Sequence, residues 1–133
     1  MFRTHIVAIM VAIFAVFAVA SNAYANIADY EFQLVSQTVT RTDAAVIAVR
    51  LVNRKTLEPV RDAIVFASRL DMEPDGMETM TAALEAAPAT EAGVYHFTAA
   101  LAMAGGWRLS LAAKIQGEEG TLQSRLVFQA VDQ

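Results

Sequence analysis

Methionines are concentrated in one acidic, turn-forming segment of the chain. Met72, Met77 and Met80 lie within residues 69–80 among aspartate, glutamate, proline and glycine, which are typical of exposed loops. With Met103 they are the only methionines after Ala25, and the N-terminal and C-terminal parts of the remaining chain contain none. The thioether sulfur is a soft ligand that favours Cu(I). The spacing therefore predicts a soft-metal-binding, methionine-rich loop.

Two residues outside the loop belong to the same hypothesis. Met103 precedes a glycine pair, and we expect it at the same end of the domain as the loop. His96 is the only histidine after Ala25, and imidazole also binds copper. Because its strand alternation directs it outward, it joins the set only if the loop folds over that face. The candidate Cu(I) ligands are therefore Met72, Met77, Met80, Met103 and His96.

Two other interpretations of the methionines stay open. Methionine fills irregular gaps well, so Met72, Met80 and Met103 also suit a purely apolar cover over the open end of the domain. An adaptable methionine surface equally suits the docking of a protein partner.

The side chains available for catalysis are few. The chain has no cysteine, and His96, its single histidine after Ala25, has no nucleophile motif beside it. The loop carboxylates do not follow the spacing of an EF-hand, so we expect them to form a solvated acidic rim. They are Asp71, Glu73, Asp75 and Glu78. We predict that the protein is not an enzyme and has no cofactor besides copper.

An apolar segment opens the chain. Arg3 and His5 form a short positive head, and residues 6–20 are an uninterrupted run of apolar or small residues. The run is shorter than the roughly 20 residues that a membrane-spanning helix needs. Residues 23–25, Ala-Tyr-Ala, are typical of a cleavage site. We predict a secretory signal peptide over residues 1–25.

Cleavage after Ala25 leaves a mature domain of residues 26–133, which we expect in the periplasm. Loss of Arg3 leaves nine basic and fourteen acidic side chains, a formal charge of about −5. Because phosphate binding depends on a basic face, nucleic acid is excluded as a partner. If the segment stays uncleaved, it is the only contact with a membrane.

Alternation of apolar and polar residues predicts six strands, and a further segment at 79–84 fits either a short strand or a helical turn. The six strands span residues 30–39, 44–52, 63–70, 94–101, 107–115 and 121–131.

Strand number and turn spacing predict an all-β fold, an immunoglobulin-like antiparallel β-sandwich of about seven strands. Trp107, which opens the strand with the clearest alternation, is expected to fill the core. In the third strand, Ile64, Phe66 and Leu70 are expected to share one face.

Several motifs resemble the YtkA-like or FixH-like domain of bacterial exported proteins. The resemblance extends from about residue 44 to residue 131. Its most specific parts are the loop methionines, Gly-Val-Tyr-His-Phe at 93–97 and Met-Ala-Gly-Gly-Trp at 103–107; Arg-Leu-Val at 50–52 and Glu-Pro-Val-Arg-Asp-Ala-Ile-Val at 58–65 add to them.

This resemblance implies an immunoglobulin-like fold and a link with copper handling. Some such domains are associated with copper or heavy-metal efflux, and FixH-like members are implicated in supplying copper to cytochrome oxidases or assembling them. We therefore expect an exported accessory protein that binds copper or another soft metal in metal homeostasis or efflux. The alternative is a metal-free interaction module that docks on a membrane efflux complex or a cytochrome oxidase assembly complex.

Overall fold

Two β-sheets form the domain in a computed structural model, which describes residues 26–133. A single 3-10 turn at Ile27–Asp29 precedes the first strand. The strands are β1 (Tyr30–Leu34), β2 (Thr38–Thr40), β3 (Ala45–Asn53), β4 (Ile64–Met72), β5 (Met77–Ala82), β6 (Leu84–Ala87), β7 (Val94–Ala99), β8 (Gly105–Lys114) and β9 (Leu122–Val131). The predicted signal peptide at residues 1–25 lies outside the described residues, so it stays a prediction.

The strand order is that of an immunoglobulin domain. The four-stranded sheet has the order β1-β3-β7-β6, and the five-stranded sheet has the order β2-β9-β8-β4-β5. These orders correspond to the A-B-E-D and G-F-C groupings of that fold. The first strand is divided between the two sheets, because β2 leaves β1 and pairs with β9 in parallel, while the other strand pairs are antiparallel. The predicted immunoglobulin-like sandwich is confirmed.

The strand count is nine instead of about seven, for two reasons. Residues 30–39, predicted as one strand, form β1 and β2 on different sheets. The segment that fitted either a strand or a helical turn is extended, because β5 pairs with β4 and β6 pairs with β7. Pairing with a neighbouring strand thus outweighs the helix preference of alanine and glutamate there.

The core lies between the sheets and follows the predicted alternation on most strands. Large buried side chains come from β1, β3, β8 and β9, and Trp107 is fully buried among them as predicted. Within residues 26–133 we find no helix of the length and apolar character that crossing a bilayer requires.

The predicted orientation of the side chains on β4 is wrong for part of the strand. A bulge between Val65 and Ala67 shifts the register of β4 against β8, so Val65 packs against the core while Ile64 and Phe66 are exposed. An extra residue at a bulge reverses which side chains point inward, and the alternation pattern alone does not reveal it. Leu70, beyond the bulge, is buried as expected.

A pair of leucines tests the placement of the core. Leu109 on β8 is fully buried, whereas Leu57 is largely exposed in a turn. We expect Leu109→Ala to lower the free energy of unfolding by about 2–5 kcal/mol, and Leu57→Ala to change it by less than about 0.5 kcal/mol. Urea unfolding followed by tryptophan fluorescence measures both. Equal effects of the two substitutions would contradict the assigned core.

Candidate functional site

A tight turn joins β4 to β5 and carries the first two methionines. The turn is a 3-10 helix, Glu73–Asp75, with Pro74 near its start. Gly76 ends it in the left-handed conformation at φ 74°, which glycine adopts without steric cost, and its N–H donates to the Glu73 carbonyl at 2.8 Å. Met72 and Met77 therefore become directly opposed residues of a hairpin. The expected exposed loop is a compact turn.

Met72 and Met77 extend the core to this end of the sandwich. Met72 is fully buried, and Met77 is half-buried and packs against the core. Directly opposed residues of antiparallel strands have Cβ atoms about 4.5–5.5 Å apart. The two thioethers are therefore neighbours, and the flexible methionine side chain suits this irregular edge of the core.

Met103 lies at the same end, as predicted. A Cβ placed on Gly105 would lie 3.0 Å from the Met72 methyl carbon, and the Gly106 N–H donates to Asp75 Oδ2 at 3.1 Å. The glycine pair thus lets the turn pack directly on the start of β8. Met103 is two positions before Gly105, a span of at most about 7 Å.

Trp107 fixes the bend that carries Met103. Its indole Nε1 donates a hydrogen bond to the Met103 carbonyl at 3.0 Å. The Met103 side chain remains 39% exposed. We call the set Met72, Met77, Met80 and Met103 the methionine end.

Met80 and His96 are placed differently from the other three candidates. Met80 is 36% exposed on the edge strand β5, where a register shift follows the pairing of Asp71 with Thr81. His96 lies on β7 of the four-stranded sheet, and its position alternates with the buried Phe97, so it faces outward as predicted. The structure thus places Met72, Met77 and Met103 at one end of the domain, with Met80 at the neighbouring edge, and His96 on the other sheet.

Asp71 departs from the expected solvated rim, because it is fully buried. Its Oδ2 accepts hydrogen bonds from Arg69 Nε at 2.9 Å and Arg108 Nη2 at 3.0 Å, and its Oδ1 accepts one from the Glu73 N–H at 3.0 Å. Burial raises the pKa of this carboxyl, but the hydrogen bonds from Arg108, Glu73 and Arg69 outweigh it and hold the pKa below its ordinary value. Asp71 therefore stays ionised and ties the turn to β4 and β8.

This network was not predicted from the sequence, although a signal for part of it exists. Arg69 and Asp71 are two positions apart in a strand, which places them on one face. Arg108 occupies an outward-facing position on β8, the strand with the clearest alternation. Its pairing with Asp71 depends on the order of the strands in the sheet, which the alternation pattern does not reveal.

Thioether sulfurs are the soft metal ligands that this end of the domain offers. Among residues 26–133 no group of three or more histidine, cysteine, aspartate or glutamate side chains is arranged to hold a metal ion. The oxygens of Asp71 are already occupied by three donors. A metal ion at the methionine end would therefore be held mainly by thioethers, which are ligands for soft ions.

The Asp71 network makes stability depend on acid pH. Because the folded-state pKa of Asp71 lies below its ordinary 3.8, its contribution is complete well above that value and is lost as the pH falls through the folded-state pKa. We expect Asp71→Asn to lower the free energy of unfolding at pH 7 by roughly 1.5–3 kcal/mol and to flatten its decline between about pH 5 and pH 2. Urea unfolding at several pH values measures both effects.

Asp43→Asn is the matched control, since Asp43 is exposed. It should leave both the stability at pH 7 and the acid decline close to those of the unmodified protein. An acid decline in Asp71→Asn as steep as that of the unmodified protein would show that Asp71 carries no such linkage.

The solved structures with distant similarity to this chain include the following two. The crystal structure of the Lin-41 filamin domain is 18% identical, covers 75% of this chain and 91% of its own, and has a TM-score of 0.44. The ZirS C-terminal domain is 8% identical, covers 84% of this chain and 74% of its own, and also has a TM-score of 0.44. A search of curated proteins found no match.

The comparison with protein families gives a match over most of the chain. The sequence profile described as YtkA-like matches residues 24–112, which is well over half of the chain. The match includes all four residues of the methionine end and every strand from β1 to β7, together with most of β8. The chain belongs to the YtkA-like family.

Proposed function

We propose that this YtkA-like domain is an exported accessory protein that binds Cu(I), or another soft metal ion, at the methionine end. The observation that carries the proposal is the direct opposition of Met72 and Met77 beside the turn that packs on the start of β8, next to Met103. Three methionine residues, one of them distant in sequence, lie at this end of the domain, and this supports the proposal. Thioether sulfur selects Cu(I) among the common metal ions.

The surroundings of the methionine end support entry of a cation. Met80 and Met103 are partly open to solvent, so sulfur is accessible from outside. Glu73 and Glu78 are exposed on the same hairpin, and their negative charge favours the approach of a positive ion. A thioether has no proton to lose on binding a metal, so the affinity should be insensitive to pH, unlike that of a site built on imidazole.

The protein would carry or hold the metal ion and would not transform a substrate. Delivery to a membrane efflux complex or to an oxidase assembly complex is the corresponding task in metal homeostasis. The family membership supports an accessory domain, and the finer assignment to copper rests on the methionine end alone.

A second candidate, a metal-free docking module, is favoured by a different observation. Met72 is fully buried against Gly105, so core packing explains its position without a metal ion. Met80 and Met103 then form a small adaptable apolar surface for a partner protein. In that case removal of copper leaves partner binding unchanged.

Titration with Cu(I) tests the first candidate. The protein, in the form that the cell produces, competes with a chromophoric Cu(I) chelator under anaerobic, reducing conditions. We expect one Cu(I) per chain with a Kd below about 1 μM, unchanged between about pH 6 and pH 8. Leucine at Met77, Met80 and Met103 together should weaken binding by about a hundredfold or more, because it keeps the apolar volume and removes the sulfur.

His96→Gln is the matched control, because it removes a typical copper ligand from the other sheet. It should leave the affinity unchanged, whereas Met72→Leu should reduce it. Binding weaker than micromolar, or equal binding after all four methionines become leucine, would refute copper binding at this end.

A further inference from the structure

The outer face of the five-stranded sheet carries an open groove of about 670 Å³. Its lining includes the small side chains of Ala67, Ser110 and Ala112 on the neighbouring strands β4 and β8. A floor of small residues between neighbouring strands creates a depression where a sheet face is otherwise even. The groove lies on the opposite face of the sheet from the core.

Three arginines line this groove. Arg69 and Arg125 are the cross-strand neighbours of Ser110, one on each side, and Arg108 lies two positions before Ser110. Asp71 binds Arg69 and Arg108 from its buried position, which holds their guanidinium groups in place.

The positive charge in the groove exceeds the negative charge that balances it. Asp71 pairs with Arg69 and Arg108, and Glu73 also pairs with Arg108, so two carboxylates face three arginines. Within the described part of the chain, the exposed Arg125 forms no ion pair. The chain as a whole has a formal net charge of −4. A local positive groove on a negative protein indicates a negatively charged occupant.

Exposed apolar residues lie at the other end of this face. Ile64 is 61% exposed and Phe66 is 56% exposed, as a result of the bulge in β4. Ile64 pairs with Lys114, which follows Arg108 by six positions along β8, so the face is about 20 Å long. That length matches an extended segment of about six residues.

We propose that this groove binds an extended acidic segment of a partner protein, with a carboxylate on Arg125 and an apolar side chain on Phe66. The planar guanidinium fork suits carboxylates. Residues 1–25 of the chain itself do not fit, since they contain Arg3 and His5 and no acidic residue. The site is separate from the methionine end and does not depend on copper.

A labelled peptide tests the proposal. The probe is a short peptide with four central glutamates and a phenylalanine near one end, added to the protein in the form that the cell produces. Fluorescence anisotropy should give a Kd of roughly 10–300 μM at low salt, weakened at least tenfold by about 0.5 M NaCl. The same peptide with lysine in place of glutamate should not bind.

Arg125→Gln should weaken peptide binding about fivefold to tenfold, since it removes the arginine that has no internal ion pair. Arg61→Gln is the matched control, because it removes the same charge from an exposed loop outside the groove. It should change the affinity by less than twofold. Circular dichroism confirms that both variants are folded.

Three outcomes would overturn the proposal. The first is equal binding of the glutamate and lysine peptides, or equal weakening by the two arginine substitutions. The second is competition by citrate or inorganic phosphate at concentrations as low as the peptide's Kd, which would assign the groove to a small anion. The third is self-association in sedimentation equilibrium that Arg125→Gln abolishes, which would assign it to a second copy of the chain.

Discussion

The buried carboxylate of Asp71 holds together the end of the sandwich on which both proposals depend. It accepts hydrogen bonds from Arg69 in β4, from Arg108 in β8 and from the backbone of Glu73 in the turn. A charge removed from water is tolerated only while its partners remain, so these three bonds are strongly interdependent. They fix the direction of the turn that carries the methionines. They also orient two of the arginines that line the groove on the outer face of the sheet.

The four residues of the methionine end have two different environments. Met72 and Met77 close the core, whereas Met80 and Met103 lie at the surface. A chain without cysteine has no disulfide to support its fold and no thiolate to bind a metal. Its fold therefore depends on core packing, and in our proposal thioether sulfur is the metal ligand. A metal site of this kind is built on positions that the fold already needs. This explains how the same side chains serve stability and, in our proposal, Cu(I) binding.

The fold was largely predictable from the sequence, and the candidate site only in part. The alternation of apolar and polar residues predicted the position of β8 in the sequence correctly, because burial of one face of a sheet imposes a period of two residues. The bulge at Phe66 was missed, since it depends on how β4 pairs with β8. The position of Met103 near the turn was predictable from the glycine pair that follows it. Burial of Asp71 was not, because Arg108 is 37 residues away and reaches it only through the strand order of the sheet.

The position at which Cu(I) binds decides whether the methionine end is a metal site or serves only as apolar packing. Methyl NMR of the protein, with carbon-13 in the methionine methyl groups, reports on each thioether separately during addition of Cu(I) under reducing conditions. The methyl signals of Met72, Met77, Met80 and Met103 should shift together and saturate at one equivalent, while the ring signals of His96 stay in place. Methyl signals that remain unchanged, or a shift confined to His96, would contradict copper binding at the methionine end.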